Sequence, residues 1–173
     1  MRFMQPLARI YAYEPAPRPF ADLKHNVEGF KVATMNMAFG DGTDVVLDTD
    51  AFTLGAKCIP PPSSSSDEEV RIKSRTLPQM LKVHDINLEP GLFIKMDCEG
   101  AEEFLLKDPE IPYFLKKASV FALEIHPRKG LKGMDYYNWF GRHFLTSHMM
   151  EWYYWRAGHL VMYEREFYKK YVK

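Results

Sequence analysis

Cysteine is scarce in this chain: Cys58 and Cys98 are the only two among 173 residues. They lie in unrelated settings, so neither a disulfide framework nor a zinc site is supported. An excess of either charge is also missing, with 23 Lys+Arg against 23 Asp+Glu. That balance leaves no broad basic field to draw in nucleic acid and no acidic block typical of a disordered tail. No apolar run approaches the roughly 18 residues of a membrane span. Met1 to Ala8 include Arg2, Gln5 and Pro6 and hold no apolar stretch of signal-peptide length. A phosphate-cradling glycine loop is lacking, which sets aside nucleotide binding of that kind. No glycine at all precedes Gly29. These absences lead to the expectation of a cytoplasmic protein with reduced thiols and no nucleic-acid partner.

What is present is the material of one folded domain over residues 1–173, long enough to bury a core and rich in aromatics. Its central stretch is Leu92 to Leu105. Leu92-Phe93-Ile94-Lys95-Met96 has strand length and ends in Asp97, Glu99 and Gly100. Ala101, Phe104 and Leu105 then recur at helical spacing. The unit reads as strand, tight turn and helix, with two carboxylates at the carboxyl end of the strand, the edge where open α/β sheets bind ligands. Carboxylates there serve a hydroxyl, a metal or a proton in flight. The alternative is that Asp97 or Glu99 caps the helix and offsets its dipole.

Along the chain, Arg9 to Tyr13 reads as a strand ended by Glu14-Pro15. Residues 17–28 read as a helix with Pro19 in its first turn and Gly29 as its stop. Lys31 to Ala38 follows as a strand closed by Gly40-Asp41-Gly42, which makes a βαβ unit and implies parallel pairing. Val45–Leu47 and Ala51–Leu54 suit a short hairpin, and residues 59–69 form a flexible Pro/Ser/acidic loop. Val70–Ile72 is extended, and a helix begins near Leu77 with Thr76 as cap. Ser119 to His126 is a nearly all-apolar strand, expected to be buried on both faces, with Glu124 and His126 at its end. Met134 to Met150 reads as a helix with Tyr137, Phe140, Phe144 and Leu145 on one face. Glu151 to Glu164 reads as a closing hairpin around Ala157-Gly158-His159.

Four stretches together resemble the FkbM family of S-adenosylmethionine-dependent methyltransferases. They are Tyr11-Ala12-Tyr13-Glu14-Pro15, Met35 to Asp41, Ile94 to Glu102, and Leu123-Glu124-Ile125-His126-Pro127. Arg75-Thr76-Leu77 also falls where that family has a Thr-Leu helix start. The resemblance spans roughly residues 9 to 127 and is most specific around Asp97. It implies a Rossmann-like methyltransferase fold of the α/β class, with a mostly parallel sheet and, here, a C-terminal antiparallel hairpin. It also implies S-adenosylmethionine as cofactor and methyl transfer to a hydroxyl of a small molecule, a sugar among the candidates. Glu14 then matches the acidic residue that hydrogen-bonds the cofactor ribose, since a carboxylate accepts from both hydroxyls of a diol. Asn36, Ala38 and Phe39 would lie near the adenine. Methyl transfer needs alignment and removal of the acceptor's proton. Asp97, which also borders the cofactor, is the first candidate for that step, and Glu99 and His126 are the next. Lys95 is expected to pair with one of these carboxylates, and Glu124 to be paired or functional. His126 is alternatively a structural histidine at a strand end. A metal bridging Asp97, Glu99 and His126 is an alternative, but no tight ligand spacing demands it, and none is expected.

The chain departs from the family at its start. The family's opening strand and glycine-rich turn have no counterpart before Gly29, so the fold is expected to be N-terminally truncated. The missing strand belongs between the strands of Tyr11 and Ile94, and its loss would leave backbone groups unpaired. A longer enzyme, a second chain (a homo-oligomer included) that supplies the strand, or a sheet closed without it are the three explanations. Two functions follow: an O-methyltransferase, or a non-catalytic relic of the fold that serves as a binding or assembly protein. The aromatic C-terminal region, with Trp139, Trp152, Tyr153, Tyr154 and Trp155, offers ring faces for a sugar or for core packing.

Overall fold

The computed structural model describes residues 8–48, 57–59, 71–86, 91–126, 131–145, 148–154 and 158–172. The first strand, β1 (Ile10–Tyr13), ends at Glu14-Pro15, where proline cannot continue a ladder. The helix α1 (Pro17–Asn26) opens on proline, which suits a first turn. Beyond it the chain reverses through Gly29, whose φ of +78° a residue with a Cβ resists. The next strand, β2 (Val32–Met35), runs parallel to β1, from Ile10 opposite Val32 to Tyr13 opposite Met35.

The run expected as a single strand from Lys31 to Ala38 is two. The Asn36 side chain donates to the carbonyls of Glu14 and Pro15, at 2.9 and 2.7 Å, and ties the chain to that turn. Beyond it β3 (Ala38–Phe39) enters a different sheet, parallel to β6 (Arg71–Arg75). On the far side of β6, β4 (Asp44–Asp48) pairs antiparallel with both β6 and β5 (Lys57–Ile59). Gly40 lies against Ser74 so closely that a Cβ would stand 2.7 Å from the Ser74 hydroxyl oxygen. The strand expected at Ala51–Leu54 and residues 60–69 of the expected loop lie outside the described residues. Ile59 falls in β5.

The helix α2 (Leu77–Val83) begins as its sequence requires. Thr76 accepts from the Gln79 amide while the Gln79 side chain accepts from the Thr76 amide, a reciprocal capping box. The second half of the chain builds a four-stranded sheet. Here β7 (Phe93–Met96) pairs parallel with β8 (Val120–Ile125), and the crossover between them carries α3 (Glu103–Lys107) and α4 (Ile111–Leu115). Antiparallel to β8 lies β10 (Gly158–Glu164), and beyond it β9 (His148–Tyr154), the hairpin expected around Gly158. Contrary to expectation, β8 is not buried evenly on both faces. Phe121, Leu123 and Ile125 are buried, whereas Val120, Ala122 and Glu124 alternate with them on a half-covered face.

The long aromatic helix is shorter and turned slightly from expectation. The observed helix, α5 (Gly133–Phe144), buries Tyr136, Phe140 and Phe144 completely, while Tyr137 and Leu145 are exposed. By His148 the backbone has joined β9, where ladder bonds to β10 replace helical ones. The basic aromatic end is a further helix, α6 (Arg165–Tyr171), capped by Glu164, which accepts from the amides of Glu166 and Phe167.

One apolar cluster links these pieces: Phe39 of β3, Leu77 and Met80 of α2, Met96 of β7, Leu105 of α3 and Leu123 of β8 all belong to it. The fully buried Phe140 and Phe144 of α5 each add roughly 1.5–3 kcal/mol of transfer free energy to it. The mostly parallel sheet expected from the sequence is three sheets, in the orders β1-β2, β3-β6-β4-β5 and β7-β8-β10-β9. Their ladders run in both senses. Among the described residues, β1 and β7 share no ladder.

Candidate active site

The turn after β7 is built from its own residues. Glu99 (φ +49°) and Gly100 (φ +98°) both take left-handed backbone, which reverses the chain sharply and is uncommon for a residue with a Cβ. Two amides that the turn directs inward, those of Cys98 and Gly100, donate to the carboxylate of Glu102 at 2.8 Å each. Glu102 is fully buried. Neither Asp97 nor Glu99 caps α3, whose first residue is Glu103 and whose start has no side-chain cap. The capping alternative is therefore not realised. It is Glu102 that satisfies the turn's backbone.

Asp97 and Glu99 remain at the protein surface, partly exposed, and both face His126 at the end of β8. Parallel pairing of β7 with β8 brings these ends together, since Met96 stands opposite Leu123. His126 Nδ1 lies 3.3 Å from Glu102 Oε1 and 3.9 Å from Asp97 Oδ1. Its Nε2 lies 3.6 Å from Glu124 Oε1 and 3.9 Å from Glu99 Oε2. Four carboxylates thus surround one imidazole that is 24% exposed. Burial alone would lower its pKa, but the hydrogen bond and charge of Glu102, with the charges of Glu99 and Asp97, outweigh that and raise it. Lys95 pairs with Asp97 at 3.4 Å, as its strand position suggested.

The structure brings Asp97, Glu99 and His126 into one group, with one donor atom of each within 4.8 Å of the others. That spacing matches one small cation, although exposed acidic groups also approach this closely without an ion. Glu14 and Asn36 form a second group. Glu14 Oε1 accepts from the Ala16 amide at 2.8 Å, and Asn36 holds the same turn from the other side. Ala38 and Phe39 are both buried, Ala38 with Ala16 and Val45 and Phe39 in the main cluster. Among the described residues, no hydrogen bond or ion pair joins Glu14 or Asn36 to Asp97, Glu99 or His126. The two groups meet instead through the core, where Phe39 shares a cluster with Met96 and Ala101 on either side of the acidic turn.

These stretches, Tyr-x-Tyr-Glu-Pro at the end of β1 and Asp-x-Glu-Gly-Ala-Glu after β7, lie inside the decisive match: the methyltransferase FkbM domain family fits residues 1–160. The chain belongs to the FkbM methyltransferase domain family. No curated protein and no solved structure matches it. Within the FkbM stretch around Asp97, the residue that sequence reasoning left without a role is Glu102. Two adjacent glutamates follow Ala101, and the local pattern does not say which turns inward. The available signal was the Gly100 turn itself, whose inward amides need an acceptor. Of the aromatic side chains considered for a sugar, Trp139 is half-buried against Phe140, His143 and Phe144. The side chains of Trp152, Tyr153 and Tyr154, and all of Trp155, lie outside the described residues.

Proposed function

We propose that the chain is an S-adenosylmethionine-dependent O-methyltransferase with a Rossmann-like fold, acting on a hydroxyl of a small molecule such as a sugar. The observation that carries this reading is the meeting of Asp97, Glu99 and His126 at the carboxyl ends of the paired parallel strands β7 and β8. The donor set fits the cofactor at Glu14. One of its oxygens is committed to the Ala16 amide, and the other accepts no hydrogen bond among the described residues, which leaves it for a ribose hydroxyl. Asn36, with its amide nitrogen holding the Glu14 turn, has a side-chain carbonyl oxygen to offer near an adenine. Ala38 and Phe39 would back that site as its apolar floor.

When bound, S-adenosylmethionine supplies a methyl group on a sulfonium, poised for displacement. The chain's own residues align the acceptor and take its proton. Asp97 is assigned that proton, with Glu99 orienting the hydroxyl and His126 beside both. Asp97 would take the hydroxyl proton as the acceptor oxygen receives the methyl group that the bound cofactor would supply. A site with four carboxylates around one imidazole favours an uncharged or cationic acceptor over an anionic one. The separation of β1 from β7 favours a second reading, a relic of the fold that has lost the cofactor and serves binding or assembly.

Calorimetric titration with S-adenosylmethionine and S-adenosylhomocysteine separates the two. The enzyme reading expects saturable binding that Glu14→Ala weakens by about 10- to 100-fold, the worth of hydrogen bonds to a charged group. With an acceptor in hand, Asp97→Asn is expected to lower kcat by about 10²- to 10⁴-fold. A folded chain that takes up neither ligand overturns the enzyme reading and leaves the relic.

A further inference from the structure

A fully buried carboxylate is expensive unless both its oxygens are satisfied. Glu102 meets that condition in an unusual way, because it spends only part of its capacity on its own turn. Its Oε2 accepts from the Gly100 amide, and its Oε1 accepts from the Cys98 amide and lies 3.3 Å from His126 Nδ1, 24 positions along the chain. Turn-holding alone explains the first two bonds. The third reaches a different strand and selects one nitrogen of the imidazole.

We propose that Glu102 is a positioning residue: it fixes the tautomer and direction of His126 so that Nε2 faces Glu99 and Glu124, and it locks the turn that presents Asp97 and Glu99. This rests on the methyltransferase reading for its purpose, though not for its geometry. A proton on Nδ1 that points at Glu102 makes Nε2 the nitrogen that exchanges protons with the acceptor side. The groups that face the ring are Asp97 and Glu99 from the turn, Glu102 from the start of α3 and Glu124 from β8. Of these, Glu102 alone is fully buried, so it alone is sheltered from solvent competition for its hydrogen bond. His148, by contrast, serves packing: it is buried against Phe144, with its Nε2 3.4 Å from the Ala118 carbonyl.

The test is nitrogen-15 NMR of the ring of His126 in the whole chain, at a pH where the ring is neutral. The expected result is a proton held on Nδ1 and protected from exchange, with Nε2 bare; a proton held on Nε2 instead overturns the proposal. In Glu102→Gln, whose side chain has one acceptor oxygen in place of two, the ring is expected to lose this preference and the Cys98 and Gly100 amide signals to shift with it. Ring signals that do not move when the Cys98 and Gly100 amides do would reduce Glu102 to a turn residue and overturn the proposal. Should that variant fail to fold, the measurement on the parent chain decides alone. With an acceptor, Glu102→Gln should lower kcat by about 10- to 100-fold, the usual effect of losing such a supporting hydrogen bond, with KM for the cofactor little changed. A parent chain with no turnover counts against the methyltransferase reading only, because the ring measurement needs no substrate.

Discussion

His126 and His148 are pulled in opposite directions by their surroundings, and the pH dependence of stability should show it. At His126 burial works against the proton, but Glu102, Glu99 and Asp97 prevail and raise its pKa. A raised folded-state value contributes stability that is fully present below the unfolded value of 6.5 and is lost as pH rises through the folded one. At His148 burial dominates and lowers the pKa, helped by Lys116 and Arg165 and opposed by the Ala118 carbonyl and Glu164. The neutral ring is the one the fold prefers, so its contribution is present above 6.5 and is lost as pH falls through the depressed value. Urea midpoints measured from roughly pH 5 to 9 check both signs. The parent's advantage over His126→Asn should shrink toward alkaline pH, and its advantage over His148→Gln should shrink toward acid. A flat difference for either variant would reject the corresponding environment. Tyr13 shows burial acting on an acid instead: its hydroxyl is pushed up to about 12 by burial and by Tyr11, while donating to the Met80 carbonyl at 3.3 Å.

Elements whose ends and faces depend on neighbours in sequence were legible; those that depend on distant partners were not. The start of α2 is a local event, since Thr76 and Gln79 satisfy each other's amides within one turn. The face of α5 is not. Tyr137, Phe140 and Phe144 recur at i, i+3 and i+7, whereas Tyr136, Phe140 and Phe144 recur at i, i+4 and i+8. Both patterns are helical, and only packing chose the second. Denaturation of two variants tests the chosen face. Phe140→Ala should cost about 3–5 kcal/mol, because its cavity would open in a close-packed core. Tyr137→Ala, on the exposed side, should cost less than about 1 kcal/mol. Equal losses would mean that the helix is rotated from this position. The end of α5 was hidden for a similar reason: β9 gains its ladder from β10, which comes later in the chain.

At the scale of the molecule, stability should be uneven. A four-stranded sheet backed by the main core holds β7, β8, β10 and β9, whereas β1 and β2 form a two-stranded parallel pair with no fully buried residue in either strand. Isolated strand pairs are marginal in water. Hydrogen exchange should therefore find the amides of β8 and β10 the slowest, and those of β1 and β2 faster by about a hundredfold or more. On the proposed methyltransferase reading, S-adenosylmethionine at Glu14 should slow exchange in β1 before it does so in β10, because a ligand stabilises the part that must be ordered to hold it. Uniform exchange across all six strands would show that the two sheets open as one unit, contrary to this expectation.

The sequence by itself determined the family, the helix start at Thr76, the closing hairpin and the Asp97–Glu99–Gly100 turn at the end of a strand. The family rests on four stretches in a fixed order; the other three are written in residues close in the chain, and local backbone chemistry is enough to read them. Only the tertiary structure decided that Asn36 ends β2, that α5 buries Tyr136 rather than Tyr137, and that Glu102 is the buried glutamate. It alone set the charge around His126, whose carboxylate neighbours come from the β7 turn, the start of α3 and the end of β8. Electrostatic and packing energies depend on distance in space, and parallel strands bring together residues that the chain keeps far apart.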